Sequence, residues 1–234
     1  MKNKPVIQLN GVARDFFDGK QKRRVLHETD LEIFPEELTI ISGPSGSGKT
    51  TLLTIMSLIL SPSEGKVIIQ GEDVTNFPEN ALASLRLKHY GFVFQNAALI
   101  SALTVMENIL IASVVQGGSV PKSLHQKAES ILNRLGMLDY AHIKSEKLSG
   151  GQKQRVAIGR SLINDPAIIL CDEPTASLDV ESSTIVLDTL KGLSREGRSI
   201  VLVTHDPRVF PYGDRLIQIE DGRITNDTGS QFGG

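Results

Sequence analysis

The run Gly43-Pro44-Ser45-Gly46-Ser47-Gly48-Lys49-Thr50 constrains this chain more than any other stretch. It fits the pattern G-x-x-x-x-G-K-[ST] and lies between two segments of different character. Before it, residues 38–42 (LTIIS) read as a short buried strand ending on glycine. After it, residues 51–60 have the length and composition of a helix. A backbone that leaves a strand, curls through glycines and opens a helix turns successive N–H groups toward one point. The helix N-terminus adds positive potential there. In such a loop the Lys49 ammonium is placed to reach the outer phosphates of a bound anion, and the Thr50 hydroxyl to ligate Mg²⁺. The alternative is a glycine-rich turn that binds nothing, and the strand before and helix after weigh against it.

The remaining pattern is strand and helix in alternation. Residues 6–9, 31–34, 66–70 (KVIIQ) and 91–94 (GFVF) read as strands. Residues 167–171 (AIILC) and 200–204 (IVLVT) are continuous apolar runs, as in central strands of a parallel sheet covered on both faces. Residues 104–135 are helical in pattern, with a Gly-Gly-Ser break at 117–119 and Pro121 near the next helix start. The result is an α/β fold in which the mostly helical stretch 96–164 looks inserted. The polar, Gly-rich tail 226–234 is expected to fray, and the basic run at 20–24 to form a solvated hairpin loop.

Composition narrows the function. The chain has 234 residues, 40% hydrophobic and 22% charged, which suits one generous domain with a real core. Lys and Arg total 25 against 27 Asp and Glu, so nothing favours nucleic acid as a partner. Cys171 is the single cysteine, which excludes an internal disulfide and a Cys-rich zinc site. The N-terminal residues lack the apolar run of a secretory signal, and the longest greasy stretch, 52–60, falls well short of the about 20 residues of a membrane span. A soluble chain is expected, with any membrane role coming through a partner.

Two further motifs sharpen the reading. Residues 168–173, IILCDE, form an apolar strand ending in Asp172 and Glu173. A parallel strand delivers its C-terminal end to the crevice where ligands sit. Asp172 is placed there to hold Mg²⁺, and Glu173 to orient and deprotonate a water that attacks a γ-phosphate. Upstream, Leu148-Ser149-Gly150-Gly151-Gln152 carries an S-x-x-Q capping box, so a helix should start at Ser149. Gly150 and Gly151 leave its first amides bare, which makes the segment either an ordinary helix cap or, beside the other motifs, a second anion site on the same chain.

With these three motifs together the sequence resembles the ATP-binding cassette (ABC) ATPases, whose signature is LSGGQ. The resemblance covers nearly the whole chain. It implies an α/β P-loop NTPase with a parallel-sheet core, a small N-terminal antiparallel β subdomain and an inserted helical subdomain. All lie in one domain over 1–234, with core 1–95 and 165–225, helices 96–164 and a flexible tail 226–234. It implies ATP and Mg²⁺ as cofactors. Gly43, Pro44, Ser45, Gly46, Ser47, Gly48, Lys49, Thr50 and Thr51 would hold the nucleotide from one chain, and Ser149, Gly150, Gly151 and Gln152 from another. Asp179 of the Ser177-Leu178-Asp179 loop would face the opposite subunit. Thr50, Asp172 and Gln95 would serve the metal, and Glu173, His205, Lys49 and Gln95 catalysis. His205 would contact the γ-phosphate, and Gln95 would link the site to a membrane partner. Phe16 falls where the family usually stacks a tyrosine on adenine, although adjacent Phe17 is also available for that job.

Three departures from the family pattern are modest: Glu36 stands where a turn glycine is usual, Gly159 where an alanine is common in the signature helix, and Cys171 where a small residue is common. Residues 82–108 look like the lipoprotein-release and macrolide-exporter subfamily, some members of which drive export or lipoprotein extraction while others transmit mechanical work across the membrane. That implies two copies in a head-to-tail sandwich, a separately encoded transmembrane permease, and a cytoplasmic location at the inner face of the membrane. Amino-acid importer ATPases are the near alternative, and a standalone ABC protein the distant one. Lys49 and Asp172 are only 123 positions apart, which leaves no room between them for the long coiled-coil insertion of many such proteins.

Overall fold

The computed structural model describes residues 4–19, 21–114 and 120–229. The elements are β1 (Ile7–Asp18), β2 (Gln21–Ile33), β3 (Leu38–Ser42), α1 (Lys49–Met56), β4 (Glu64–Ile69), β5 (Glu72–Asp73), α2 (Glu79–His89) and β6 (Tyr90–Val93). Then come α3 (Val105–Val114), α4 (Lys122–Arg134), α5 (Gly150–Leu162), β7 (Ile168–Asp172), α6 (Val180–Arg195), β8 (Ser199–Thr204), β9 (Arg215–Glu220) and β10 (Arg223–Asp227). The Gly-Gly-Ser break at 117–119 lies outside the described residues.

The strands make two sheets. One has the order β2-β1-β4-β5 with antiparallel pairing throughout. The other runs β10-β9-β3-β8-β7-β6, parallel except at β10. The continuous apolar runs are explained by what covers the second sheet. Leu38, Ile40, Ile169, Cys171, Ile200 and Leu202 face a core shared with α3, α4, α5 and α6. Ile41, Ile168, Leu170, Val201 and Val203 face a second core shared with α1 and the antiparallel sheet. Alternate residues of one strand thus enter two different cores, and neither face needs polar residues. Buried Cys171 belongs to the first core, and burial pushes its thiol pKa up.

Tertiary pairing changed several local expectations. The antiparallel strands are much longer than the apolar clusters 6–9 and 31–34, because β1 and β2 pair from Ile7–Ile33 out to Asp18–Gln21 across register shifts. The basic run is therefore strand rather than loop over residues 21–24. Lys22 and Arg24 both pair with Asp15 across the hairpin, and Arg24 also with Glu64, which explains why charges continue along a strand. Lys20 lies outside the described residues. The tail is held as far as Gly229: Asp227 accepts from Arg215 at 2.6 and 2.8 Å, and the Thr228 N–H donates to Leu216 O at 3.1 Å. Arg215 is buried and also donates to Glu32 O, so β10 is tied to both sheets. Residues 230–234 are not described. Helix α1 stops at Met56, four residues before the apolar pattern does, and Leu58 turns left-handed at φ 61°. Glu36 is left-handed as well, at φ 63°, which accounts for the glycine usual at that turn. Among the described residues no helix is long and apolar enough to cross a membrane.

Candidate functional site

Register brings the motifs to one edge. Ser42 of β3 pairs with Thr204 of β8, and Val203 of β8 pairs with Asp172 of β7. The loops that follow β3, β7 and β8 therefore leave side by side, and they carry residues 43–50, Glu173 and His205. This is the C-terminal edge of a parallel sheet, where α/β proteins place ligands.

The loop after β3 ends in a helix that no side chain caps. The N-cap is Gly48 at φ 101°, a conformation strained for any residue with a Cβ. The first-turn amides of α1 are thus left for a ligand. Lys49 opens the helix and is buried. Its ammonium donates to Gly43 O at 2.8 Å and Pro44 O at 2.7 Å. Burial draws its pKa down, while the carboxylates of Glu173 and Asp172 hold it up. Pro44, Ser45, Gly46 and Thr50 are exposed, whereas Ser47 is buried with an unpartnered hydroxyl.

The acidic pair is asymmetric. Asp172 ends β7 half-buried, and burial together with neighbouring Glu173 raises its pKa, against the pull of Lys49. Glu173 is left-handed at φ 46°, which costs a non-glycine residue about 1–2 kcal/mol. Its N–H is anchored to Val203 O at 2.9 Å. The turn aims its carboxylate at His205, whose Nδ1 lies 2.7 Å from Glu173 Oε1. The sequence placed these two residues after different strands, and the structure joins them directly.

The second glycine-rich helix start is finished within its own chain. Ser149 caps α5 through the Gln152 N–H, and the Gln152 side chain accepts from the Ser149 N–H, closing the capping box. Gly151 is buried: a Cβ there would fall 2.5 Å from Ser182 Oγ. Gly150 is exposed, and a Cβ there would lie 3.3 Å from the Leu178 side chain. Asp179, expected to face another subunit, caps α6 by accepting from the Ser182 N–H at 2.8 Å and hydroxyl at 2.9 Å. Those bonds lower its pKa. Among the described residues no hydrogen bond or ion pair joins Ser149–Gln152 to the loop at 43–50.

Gln95 lies exposed just past β6, next to Phe94, whose carbonyl accepts from Gln154 of α5 at 3.1 Å. Phe16 is 39% exposed on β1, and Phe17 is 72% exposed. The Arg14 guanidinium lies 4.9 Å from the Phe16 ring centroid. Sequence reading missed Arg14, although residues two apart on a strand share a face. It also missed Ser182, which has no local signal.

The sequence profile described as "ABC transporter" matches residues 26–176. The macrolide export ATP-binding/permease protein MacB of Azoarcus sp. (strain BH72) is 43% identical over 96% of this chain and 34% of its own length. The MacB of Marinobacter nauticus is 41% identical over 99% of this chain and 36% of its own. The chain thus spans about a third of these curated relatives. Among solved structures, the ATP-binding cassette MJ0796, a dimer in a post-hydrolysis state bound to ADP and Pi, superposes with TM-score 0.86. It is 35% identical, covering 94% of this chain and 97% of that one. The cbiO1 protein of Clostridium perfringens, part of the ABC transporter complex cbiONQ, gives TM-score 0.87 at 27% identity, over 98% of this chain and 90% of its own. A family profile over more than half the chain and cassette relatives of matching length give one conclusion: the chain belongs to the ABC transporter family, as one of its ATPase cassettes.

Proposed function

We propose that this cassette hydrolyses ATP-Mg²⁺ as half of a head-to-tail dimer and thereby drives an export-type transmembrane permease. The observation that carries the reading is the shared edge of β3, β7 and β8, where Lys49, Asp172, Glu173 and His205 meet. Residues 43–51 hold the phosphates, with Lys49 leaving its two loop carbonyls for phosphate oxygens. Phe16, with Arg14 behind it, offers an exposed ring to the adenine. The donors for the metal are the Thr50 hydroxyl, the Asp172 carboxylate and Gln95. They fit Mg²⁺ because all are oxygens, and because two adjacent carboxylates, one with a raised pKa, favour a cation beside them. Bound there, Mg²⁺ supplies charge neutralisation at the phosphates. Glu173, fixed by its left-handed turn and its bond to His205, takes the proton from the attacking water. His205 orients Glu173 and reaches the γ-phosphate.

The α5 start reads as the half of a second nucleotide site that another copy completes, since its own chain brings no phosphate loop to it. MJ0796 was solved as a dimer. The permease finds its seat beside Gln95, in an apolar cavity of about 610 Å³ lined by Ile59, Leu87, Phe92, Phe94 and Arg160. Ile59 and Phe94 are more than 40% exposed there. An export-type permease follows the MacB relatives, whose names join ATP binding to macrolide export.

The test is Glu173→Gln, which keeps shape and hydrogen bonding but removes the proton acceptor. ATP should still bind, turnover should fall at least ~10²-fold, and a nucleotide-locked dimer should accumulate. Near-normal phosphate release removes Glu173 from this role.

A further inference from the structure

We propose that Gly222, in the turn between β9 and β10, is a positioning residue for the phosphate loop: it fixes the Ser47–Gly48 peptide and so sets how tightly the loop holds a nucleotide. The inference rests on the reading of residues 43–50 as the phosphate site. Both backbone groups of Gly222 are used by other parts of the molecule. Its N–H donates to Ser47 O at 2.9 Å, and its carbonyl accepts from the His27 N–H of β2 at 2.8 Å. One residue therefore ties the phosphate loop to the antiparallel sheet.

The peptide plane converts that tether into aim. In a trans peptide the C=O and the following N–H point in opposite directions. Holding the Ser47 carbonyl against Gly222 turns the Gly48 N–H away from the β9–β10 turn, into the loop. An amide already aimed need not reorganise when an anion arrives, and its contribution is correspondingly larger. The packing has no slack. At Gly222, φ is +72°, and a Cβ would lie 2.3 Å from Val25 O. Gly48 approaches the same point, where its Cβ would be 3.0 Å from Val25 O and 3.5 Å from the Gly222 Cα. Preceding Asp221 is left-handed at φ 46°, and following Arg223 sets its guanidinium 2.9 Å from His27 Nδ1. The turn is thus held from both sides in one geometry. The register Ser42–Gln218 between β3 and β9 delivers it to the same edge as the loop.

Gly222→Ala moves the turn, because the new methyl cannot coexist with Val25 O. The control is Gly71→Ala at the β4–β5 hairpin tip, which has φ +86° and no neighbour within 4 Å. It imposes the same left-handed alanine without the contact. In the full chain, titration with a fluorescent ATP analogue and steady-state ATPase are measured. For Gly222→Ala, Kd and KM should rise at least ~10-fold while kcat at saturating ATP stays within about threefold. Gly71→Ala should leave all three within about twofold of wild type. A Gly222→Ala KM within about twofold of wild type overturns the inference. If Gly222→Ala fails to fold, hydrogen exchange of the wild-type chain decides. Saturating ATP should slow exchange in a peptide spanning 220–224 and not in one spanning 70–74, and unchanged exchange at 220–224 overturns the inference. Lys49→Ala separates the two levels. If it binds ATP like wild type, the phosphate-site reading fails and this inference with it. If it loses binding while Gly222→Ala keeps it, this inference alone fails.

Discussion

Helices α1 and α5 both start at glycine: Gly48 is the N-cap of α1, and Gly150 and Gly151 are the first residues of α5. They are finished differently. At α1 the N-cap Gly48 has a left-handed backbone and no capping side chain, so the amides wait for an anion. At α5 the cap is Ser149 with a complete capping box, and the two glycines are ordinary helical residues. What α5 requires is thinness: Gly151 lets it lie on Ser182 at the start of α6. Glycine therefore serves backbone conformation in one place and close approach in the other. The first helix start leaves its amides without a side-chain cap, and the second is closed by its own capping box.

Removing the charge at α1 should have the largest effect. Lys49→Ala is expected to weaken ATP binding and to lower ATPase by ~10³-fold, read by nucleotide titration and phosphate release. Retained binding would overturn the reading of residues 43–50 as the phosphate site.

At α5 the loss should be of turnover without loss of binding. Ser149→Asp keeps a good cap while adding a carboxylate at an exposed position. At ~4 Å from a phosphate charge the repulsion is about 1 kcal/mol in water and ~4 at an effective dielectric of 20. The variant should bind ATP like wild type and fail to dimerise. Mixed with Lys49→Ala chains it should regain part of the ATPase, because one composite site is then whole. Two variants that stay dead at every ratio, with co-assembly demonstrated, break the idea of a shared site.

Gly151 is less suited to that experiment, because a side chain there strikes Ser182 before it meets any nucleotide. Gly151→Ala should destabilise the chain by about 1–3 kcal/mol through overpacking, and Ser182→Gly in the same chain should restore part of it. Denaturant melts of the single and double variants check the coupling, and additive effects would mean that the two residues do not meet.

The smallest expected effect separates the caps by pH. Hydrogen bonds from Ser182 lower the pKa of Asp179 below its ordinary 3.8. A lowered pKa contributes stability above the unfolded value and loses it as pH falls through the folded one. The melting-temperature advantage of wild type over Asp179→Asn should therefore shrink below about pH 4. An advantage that persists unchanged into stronger acid would remove the carboxylate charge from the cap's contribution.

Much of the site was legible because it is local. The loop at 43–50, the capping box and the acidic pair are each contained within a few residues, so spacing alone reveals them. Periodicity also placed β3, β7 and β8 correctly, since strands covered on both faces are apolar throughout. The basic run was not legible, because Asp15 and Glu64 that neutralise it lie on other strands. Residues 226–229 of the tail were misread for the same reason: their order comes from Arg215 and Leu216 in β9.

By itself the sequence determined the chemistry at each strand end: glycines that curl a backbone, an ammonium, two carboxylates and an imidazole. These follow from residue type and short-range spacing, which folding does not alter. Only the tertiary structure decided which of them meet. The β3–β8–β7 register set Glu173 against His205, and the packing of α5 on Ser182 leaves no room for a side chain at Gly151. The β9–β10 turn came to rest on the phosphate loop. Such contacts join residues as far apart as Gly222 and Ser47, 175 positions, and no local propensity encodes them.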